Sequence, residues 1–343
     1  MSLRGTGQGG PLARAWEAIS VLGSSGFLDP RFLSSYVAAT KRFGTTAAAG
    51  FSAAAKRHPD AVAVIDDAGE ATFGELERST NAVARALRAA GVGPGDGVGL
   101  FARNHRGFIQ AQMALDKVGA NTLLLNTGFA APQLSEVIER EGSKVILFDE
   151  EFRNIVEGGA KHLERIVTWA EGDIPEPTID ALVKQHDDGE VEPPERPGRT
   201  TILTSGTTGT PKGAQRSAKS QGLDALVGLF GRMPLSTGTR NFVVAPTFHS
   251  WGGLHMLLGG LLGCTIVFNR RFDPEQTLAT IDRLHPTVLA VVPVMMQRML
   301  ALDPKIIDKY DCSSLRMVCA SGSALPGELA LRWMDTFGDN VYN

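Results

Sequence analysis

The chain has 343 residues, 43% of them hydrophobic and 21% charged, the make-up of an ordinary globular protein longer than one core usually takes, so two domains or subdomains are expected. A net charge of −3 gives no electrostatic case for a nucleic-acid partner. Three cysteines, Cys264, Cys312 and Cys319, are odd in number and lack metal-ligand spacing, which points to buried thiols in a reducing, cytoplasmic setting rather than a disulfide framework.

The first ten residues are glycine-rich, with none of the charged-then-apolar layout of a signal peptide. Residues 1–44 are expected to form a helical N-terminal extension. Its amphipathic stretches allow a peripheral membrane contact, although packing on the domain is the plainer reading. From residue 60 onward β-rich runs alternate with amphipathic helical stretches. Ala61 to Ile65 reads as a strand and Thr72-Phe73-Gly74-Glu75 as a capping box opening a helix that ends near Gly91. Val98 to Phe101 is the next strand, and Asn104 is expected to cap a helix over Gly107–Val118. Strand, helix and strand follow at Ala120–Leu125, Pro132–Arg140 and Lys144–Phe148. This alternation predicts βαβ crossovers and a parallel sheet.

Residues 171–198 hold five prolines and many acids, and read as a solvated connection with a helix over Thr178–Gln185. The rhythm resumes with strands expected at Thr200–Leu203, Phe242–Ala245, Thr265–Phe268, Thr287–Val291 and Leu315–Ala320, and a helix capped by Asp273. The apolar stretch from Trp251 to Phe268 is split by Gly263 into a helix and a strand, too short and broken to span a bilayer. The expected division is thus an α/β subdomain over 45–198 and a second over 199–343, with mainly parallel sheets flanked by helices. The end at Asn343 looks like an interruption as another strand begins.

The decisive run is Thr204-Ser205-Gly206-Thr207-Thr208-Gly209-Thr210-Pro211-Lys212-Gly213, directly after a predicted strand. Its glycines let backbone N–H groups approach an anion, its hydroxyls can donate to phosphate oxygens, and Lys212 adds charge on a flexible stem. A polyphosphate suits these groups best; the alternative is a Thr/Gly-rich surface turn. The P-loop NTPase pattern does not fit, because Lys212 follows Pro211 and Gly213 stands where that motif needs Ser or Thr.

With this segment the sequence resembles the adenylate-forming superfamily of acyl- and aryl-CoA synthetases, peptide-synthetase adenylation domains and beetle luciferases. It looks most like a bacterial fatty-acyl-CoA synthetase. The phosphate loop of that family is matched from Ser205 to Gly213. Pro246-Thr247-Phe248-His249 looks like its Pro-x-Phe/Tyr-His element, and Ser321-Gly322-Ser323-Ala324-Leu325-Pro326 like its small-residue loop beside the adenine. The likeness covers roughly residues 45–343.

The resemblance implies that ATP and a carboxylic acid form an acyl-adenylate, which coenzyme A converts to a thioester. It implies nucleotide contacts from Thr204, Ser205, Gly206, Thr207, Thr208, Gly209, Lys212, Ser321, Gly322 and Ser323, with Thr204 a Mg²⁺ ligand. His249 and Lys212 would be catalytic, and His249, Ser250, Trp251 and Gly253 would face the acid. Taken alone, His249 would more often be a surface or core histidine than a site residue. Its place after Pro246 at a strand end, in register with the family, reverses that. Trp251 and Met256 could line an acyl tunnel, with core packing at least as good a reading. The stretch Ser250-Trp251-Gly252-Gly253-Leu254 after His249 carries no acid to grip an amino group, as a peptide-synthetase adenylation domain would, which favours a fatty or other apolar acid. The remaining histidines, His58, His105, His162, His186, His255 and His285, show no pairing pattern and read as structural or exposed. The family's Tyr-Gly-x-Thr-Glu element, ribose-binding Asp and small C-terminal lid domain are expected beyond Asn343, so this chain is expected to be impaired in complete thioester formation. Alternatives are a non-catalytic nucleotide- or acyl-binding fragment, or a fatty-acyl-AMP ligase feeding a carrier protein. A homodimer is left open.

Overall fold

The computed structural model describes residue 20, residues 23–204, 233 and 235–343, with residues 212–215 as a strand. Two sheets form the frame. The six-stranded sheet has the order β6-β5-β3-β4-β7-β8, from β3 (Gly97–Phe101), β4 (Asn121–Leu124), β5 (Ser143–Asp149), β6 (Glu164–Trp169), β7 (Thr200–Thr204) and β8 (Lys212–Gln215). The seven-stranded sheet has the order β13-β12-β11-β9-β10-β1-β2. It contains β1 (Val62–Asp66), β2 (Gly69–Thr72), β9 (Arg240–Val243), β10 (Thr265–Val267), β11 (Val288–Val291), β12 (Met317–Ala320) and β13 (Val341–Tyr342). Among the described residues every strand pairing is parallel except β1 with β2 and β7 with β8. This is the mainly parallel α/β architecture that the alternating sequence pattern implies.

The sheets do not follow a boundary at residue 198. β1 and β2 leave the first half of the chain to join β10, while β7 and β8 join β4. Each sheet is therefore built from both halves of the sequence.

Around the sheets lie α1 (Pro30–Phe43), α2 (Ala47–Arg57), α3 (Phe73–Ala89) and α4 (Arg106–Val118), then α5 (Ala131–Glu141), α6 (Arg153–Gly159) and α7 (Ile179–Gln185). The second half supplies α8 (Ser250–Leu262), α9 (Pro274–Leu284), α10 (Pro293–Leu300), α11 (Pro304–Ile307) and α12 (Gly327–Phe337). The capping box is present: the Thr72 side chain accepts from Glu75 N–H at 3.2 Å and Glu75 accepts from Thr72 N–H at 2.7 Å. None of the described helices is long and apolar enough to cross a membrane.

α4 is the central helix. Gly107 through Val118 are all buried, as in a helix enclosed by protein on every side. Its polar residues are satisfied internally: the Lys117 ammonium donates to Thr80 Oγ1 and Asn81 Oδ1, both at 2.7 Å, and pairs with Glu77 at 3.0 Å. The acidic 171–198 connection is not simply solvated. Arg85 donates to the carbonyls of Asp187, Gly189 and Glu190, Arg88 to that of Glu192, and Arg42 to that of Val191. All three cysteines are free and buried, as expected.

Candidate nucleotide and acid site

β7 runs parallel to β4, and β8 returns antiparallel beside it, with Thr204 opposite Lys212 as the last register pair. The two residues with the strongest sequence claim on phosphate therefore face each other across one ladder, about 5 Å apart between Cα atoms. They form the mouth of the hydroxyl- and glycine-rich loop. The loop residues themselves, Ser205, Gly206, Thr207, Thr208 and Gly209, lie outside the described residues. Among the described residues no three His, Cys, Asp or Glu side chains group to hold a metal. One hydroxyl residue at a phosphate loop fits Mg²⁺, which takes few protein ligands and completes its shell with waters and substrate phosphates.

The residues around His249 are built on the seven-stranded sheet. β9, β11 and β12 are parallel, so their carboxyl ends share the edge at which α/β sheets bind ligands. β9 ends at Val243, short of the expected Ala245, because Val244 and Ala245 N–H groups both turn to the Ala290 carbonyl. The chain then makes the Pro246–His249 turn. His249 N–H donates to the Pro246 carbonyl at 3.1 Å, and His249 is the N-cap of α8. Its ring packs on Phe248 with centroids 4.4 Å apart. Desolvation by surrounding protein holds its pKa below the ordinary histidine value, although the residue is exposed on one side, so the neutral form dominates near pH 7. Ser250 is exposed beside it. α8 can approach so closely because residue 252 is glycine: a Cβ there would lie 2.3 Å from the Ala245 carbonyl oxygen. A Cβ on Gly253 would lie 2.9 Å from the Thr247 carbonyl oxygen.

Trp251 Nε1 donates to the carbonyl of Cys319 in β12 at 3.2 Å. Two residues on comes the small-residue loop, where Ser321 N–H donates to the Val291 carbonyl at 3.3 Å. Gly322 has φ +92°, a conformation that side-chain-bearing residues rarely adopt, and Ser323 is exposed. The structure thus brings His249, Trp251 and Ser321–Ser323 to one edge of one sheet, while Thr204 and Lys212 sit at the end of the other.

Asn104 links the two sheets, and this departs from the sequence expectation. It does not cap α4; His105 does, its Nδ1 accepting from Gly107 N–H at 3.0 Å. Asn104 instead reaches from the end of β3 across to the turn after β9. Its Nδ2 donates to the Val243 and Ala245 carbonyls at 3.0 Å each, and its Oδ1 accepts from Thr247 N–H at 2.8 Å and Thr247 Oγ1 at 3.0 Å. This side chain, fully satisfied and buried, positions the turn that carries His249. His105 is neither exposed nor unpaired: its Nε2 donates to Asp149 Oδ1 at 2.8 Å, and Asp149 also accepts from Thr168 Oγ1 at 2.6 Å and Arg103 N–H at 2.9 Å. The Arg103-Asn104-His105-Arg106 run was the signal for both, four polar residues between a buried strand and a buried helix.

A family model described as AMP-binding enzyme matches residues 51–343. The chain is 31% identical over 290 residues to a feruloyl-CoA synthase of an Amycolatopsis species, covering 82% of this chain and 55% of that protein. It is 30% identical to a 3-hydroxybenzoate/4-hydroxybenzoate–CoA ligase of Thauera aromatica, covering 78% of this chain and 52% of that protein. Among solved structures, the anthranilate CoA ligase AuaEII in complex with anthranoyl-AMP aligns with a TM-score of 0.79 at 23% identity, over 86% of this chain and 58% of that one. The chain belongs to the AMP-binding enzyme family. It spans about half the length of the curated relatives it matches.

Proposed function

We propose that this chain carries the nucleotide- and acid-binding part of an ATP-dependent acid–thiol ligase. The supporting observation is the register pair Thr204–Lys212 at the mouth of the phosphate-loop sequence. In the first half-reaction a carboxylate oxygen bonds to the α-phosphorus of ATP and the bond to pyrophosphate breaks. In the second, a thiolate attacks the acyl carbon and AMP leaves. The first step brings anion to anion, so the chain's task is alignment and charge neutralisation rather than nucleophilic attack. Lys212 and the N–H and hydroxyl groups of Ser205–Gly209 would hold the β- and γ-phosphates, with Ser321, Gly322 and Ser323 beside the adenine. Thr204 would hold Mg²⁺, which when bound offsets phosphate charge. Neutral His249 can donate a hydrogen bond where carboxylate and α-phosphate meet, while Ser250, Trp251 and Gly253 shape the acid side.

The acid is aryl or otherwise apolar. The relatives' own names, feruloyl and hydroxybenzoate, favour an aryl acid over the fatty acid suggested by sequence, although a fatty acid–[acyl-carrier-protein] ligase of Streptomyces coeruleorubidus is also 29% identical. That relative keeps a carrier protein open as acceptor in place of coenzyme A.

The test is acid-dependent ATP–pyrophosphate exchange. Lys212→Ala should lower it by an amount equivalent to about 2–4 kcal/mol of transition-state stabilisation, the usual loss for one preorganised charge-stabilising contact. An unchanged rate would remove Lys212 and its loop from the mechanism. ATP binding without exchange for any acid would leave a nucleotide-binding fragment.

A further inference from the structure

The start of α1 and the end of α2 border a cavity of about 350 Å³ whose lining is cationic, with Arg31 from α1 and Lys56, Arg57 and His58 from α2 and its C-cap. Asp29 is the one carboxylate among the described lining residues. It is already occupied as the N-cap of α1, accepting from Arg31 N–H at 2.8 Å. Arg57, half-buried, is the fixed member. Its guanidinium carbon lies 4.5 Å from the centroid of the Phe32 ring, Nη1 donates to Ser35 Oγ at 3.0 Å, and Nη2 donates to the Leu261 carbonyl at 3.4 Å. Both acceptors are neutral. Among the described residues none of Arg31, Lys56 and Arg57 forms an ion pair with a carboxylate. Desolvation lowers the Arg57 pKa, with the charge of Asp29 acting the other way.

Helix electrostatics account for part of this cluster. Lys56, Arg57 and His58 stand at the C-terminus of α2, the negative end of the helix dipole, where cations are favoured. Arg31 is the exception: it sits in the first turn of α1, where the dipole disfavours a cation. Covering a guanidinium with neutral groups also costs free energy that a counter-charge recovers. We propose that this cavity binds a phosphate group, held by Arg57 with Arg31 and Lys56 converging from the two helices. Arg57 offers a planar fork with three N–H donors left over, which suits phosphate oxygens, and the exposed Arg31 and Lys56 add charge. The site lies at the far end of α8 from His249. Leu261, which holds Arg57, is about 18 Å along the helix, so a phosphate here is not one of the reacting phosphates. Two sources present this chemistry, a soluble phosphate and the headgroup of an anionic lipid. Leu28 precedes Asp29 and Leu33 precedes Ser34 of the cavity wall; with Val37, one turn on, they are exposed and give a lipid an apolar contact that a free ion does not use.

Residue-resolved labelling of the full chain tests this without requiring turnover. Exposed lysines are briefly acetylated in a phosphate-free buffer, and modification of Lys56 is read by peptide mass spectrometry against Lys184 on α7, which is exposed and outside the cavity. One probe is inorganic phosphate, compared with chloride at equal ionic strength. The other is phosphatidylcholine vesicles with and without phosphatidic acid. Occupancy should protect Lys56 and leave Lys184 unchanged. Arg57→Gln should raise the probe concentration needed by about tenfold, the usual loss for a hydrogen bond to a charged group, and the exposed Arg31→Gln by about two- to fivefold. Protection by inorganic phosphate supports the site with a soluble ligand. Protection by phosphatidic acid vesicles alone supports it with a lipid headgroup, and replacing Leu33 and Val37 by serine should then weaken it. Equal protection by chloride or by pure phosphatidylcholine, protection undiminished in the arginine variants, or no protection by either probe would each overturn the proposal. Arg31→Gln alters an exposed side chain, so it decides should Arg57→Gln fail to fold. Lys212→Ala should leave Lys56 protection intact, which separates this site from the phosphate loop and from the fate of the ligase reading.

Discussion

Asp116 and His255 are both buried and titrate in opposite senses. Asp116 Oδ2 accepts from Ala48 N–H at 3.1 Å and Oδ1 from Gln112 Nε2 at 2.9 Å, yet desolvation outweighs these bonds and pushes its carboxyl up to about 7. A raised folded-state pKa means the folded protein holds the proton more tightly; the stability it contributes is full below pH 3.8 and is lost as pH rises to about 7. His255, lowered from 6.5 to about 4, does the reverse: its contribution is full above pH 6.5 and lost as pH falls towards 4. Each slope is about 1.4 kcal/mol per pH unit, so between pH 4.5 and 6.5 the two largely cancel. Urea denaturation across that range should show Asp116→Asn gaining stability relative to the parent as pH rises. His255→Leu should lose it. Parallel profiles for all three proteins would refute the opposed pair.

At the scale of elements, α8 is placed by small residues. A Cβ on Gly260 would fall 2.4 Å from the Phe51 ring of α2, and one on Gly252 would fall 2.3 and 2.4 Å from the Ala245 and Pro246 carbonyl oxygens. The alanines of α2, a biased tract when read as composition alone, are the matching half of this contact, with Ala48, Ala49 and Ala54 wholly buried. Gly252→Ala should push the head of α8 outward and carry His249 with it. Misplacement on the order of 1 Å costs about 100-fold in rate, so exchange should fall by about 10- to 100-fold while ATP affinity holds. Equal losses in both would point to general unfolding. Thr72→Ala, which removes the cap of α3, belongs to stability alone: about 1 kcal/mol in the urea midpoint and no change in exchange.

At the scale of the whole molecule, polar joints among the described residues tie the sheets together, three of them built on Asn104, Arg106 and Glu151. Asn104 holds the turn after β9; Arg106, at the start of α4, grips Asp66 of β1 with Nη2 at 2.6 Å. The third is Glu151, which accepts from Arg103 Nε and Nη2 at 2.9 Å each, from Arg270 at 3.0 Å and from Arg271 at 2.9 Å. Arg270 and Arg271 follow β10, so this carboxylate bridges the two halves of the sequence. Glu151→Gln leaves three guanidinium groups around a neutral amide and should cost about 1–2 kcal/mol, since Glu151 is largely covered whereas Arg271 is exposed and adds little. The loss should shrink in high salt, where charge interactions are screened. A salt-independent loss would assign the joint to packing. Asn104→Ala should cost more, about 2–3 kcal/mol, because it strands the buried Thr247 N–H and two carbonyls that salt does not screen.

The sequence by itself determined what is local. The strand–helix alternation, the Thr72–Glu75 capping box, the Asp273 cap and the break at Gly263 all depend on neighbours within a few residues, and these elements stand where they were expected, with strand ends moved by two residues at β9 and β12. Only the tertiary structure decided which distant segments meet. Val64 pairs with Ile266, Asn104 reaches Thr247, His105 finds Asp149, and His255 is enclosed beside Trp251 and Asn241. Sequence spacing carries no trace of these partnerships, because parallel sheets join strands through crossovers of variable length. A polar side chain's role is set by what burial leaves beside it.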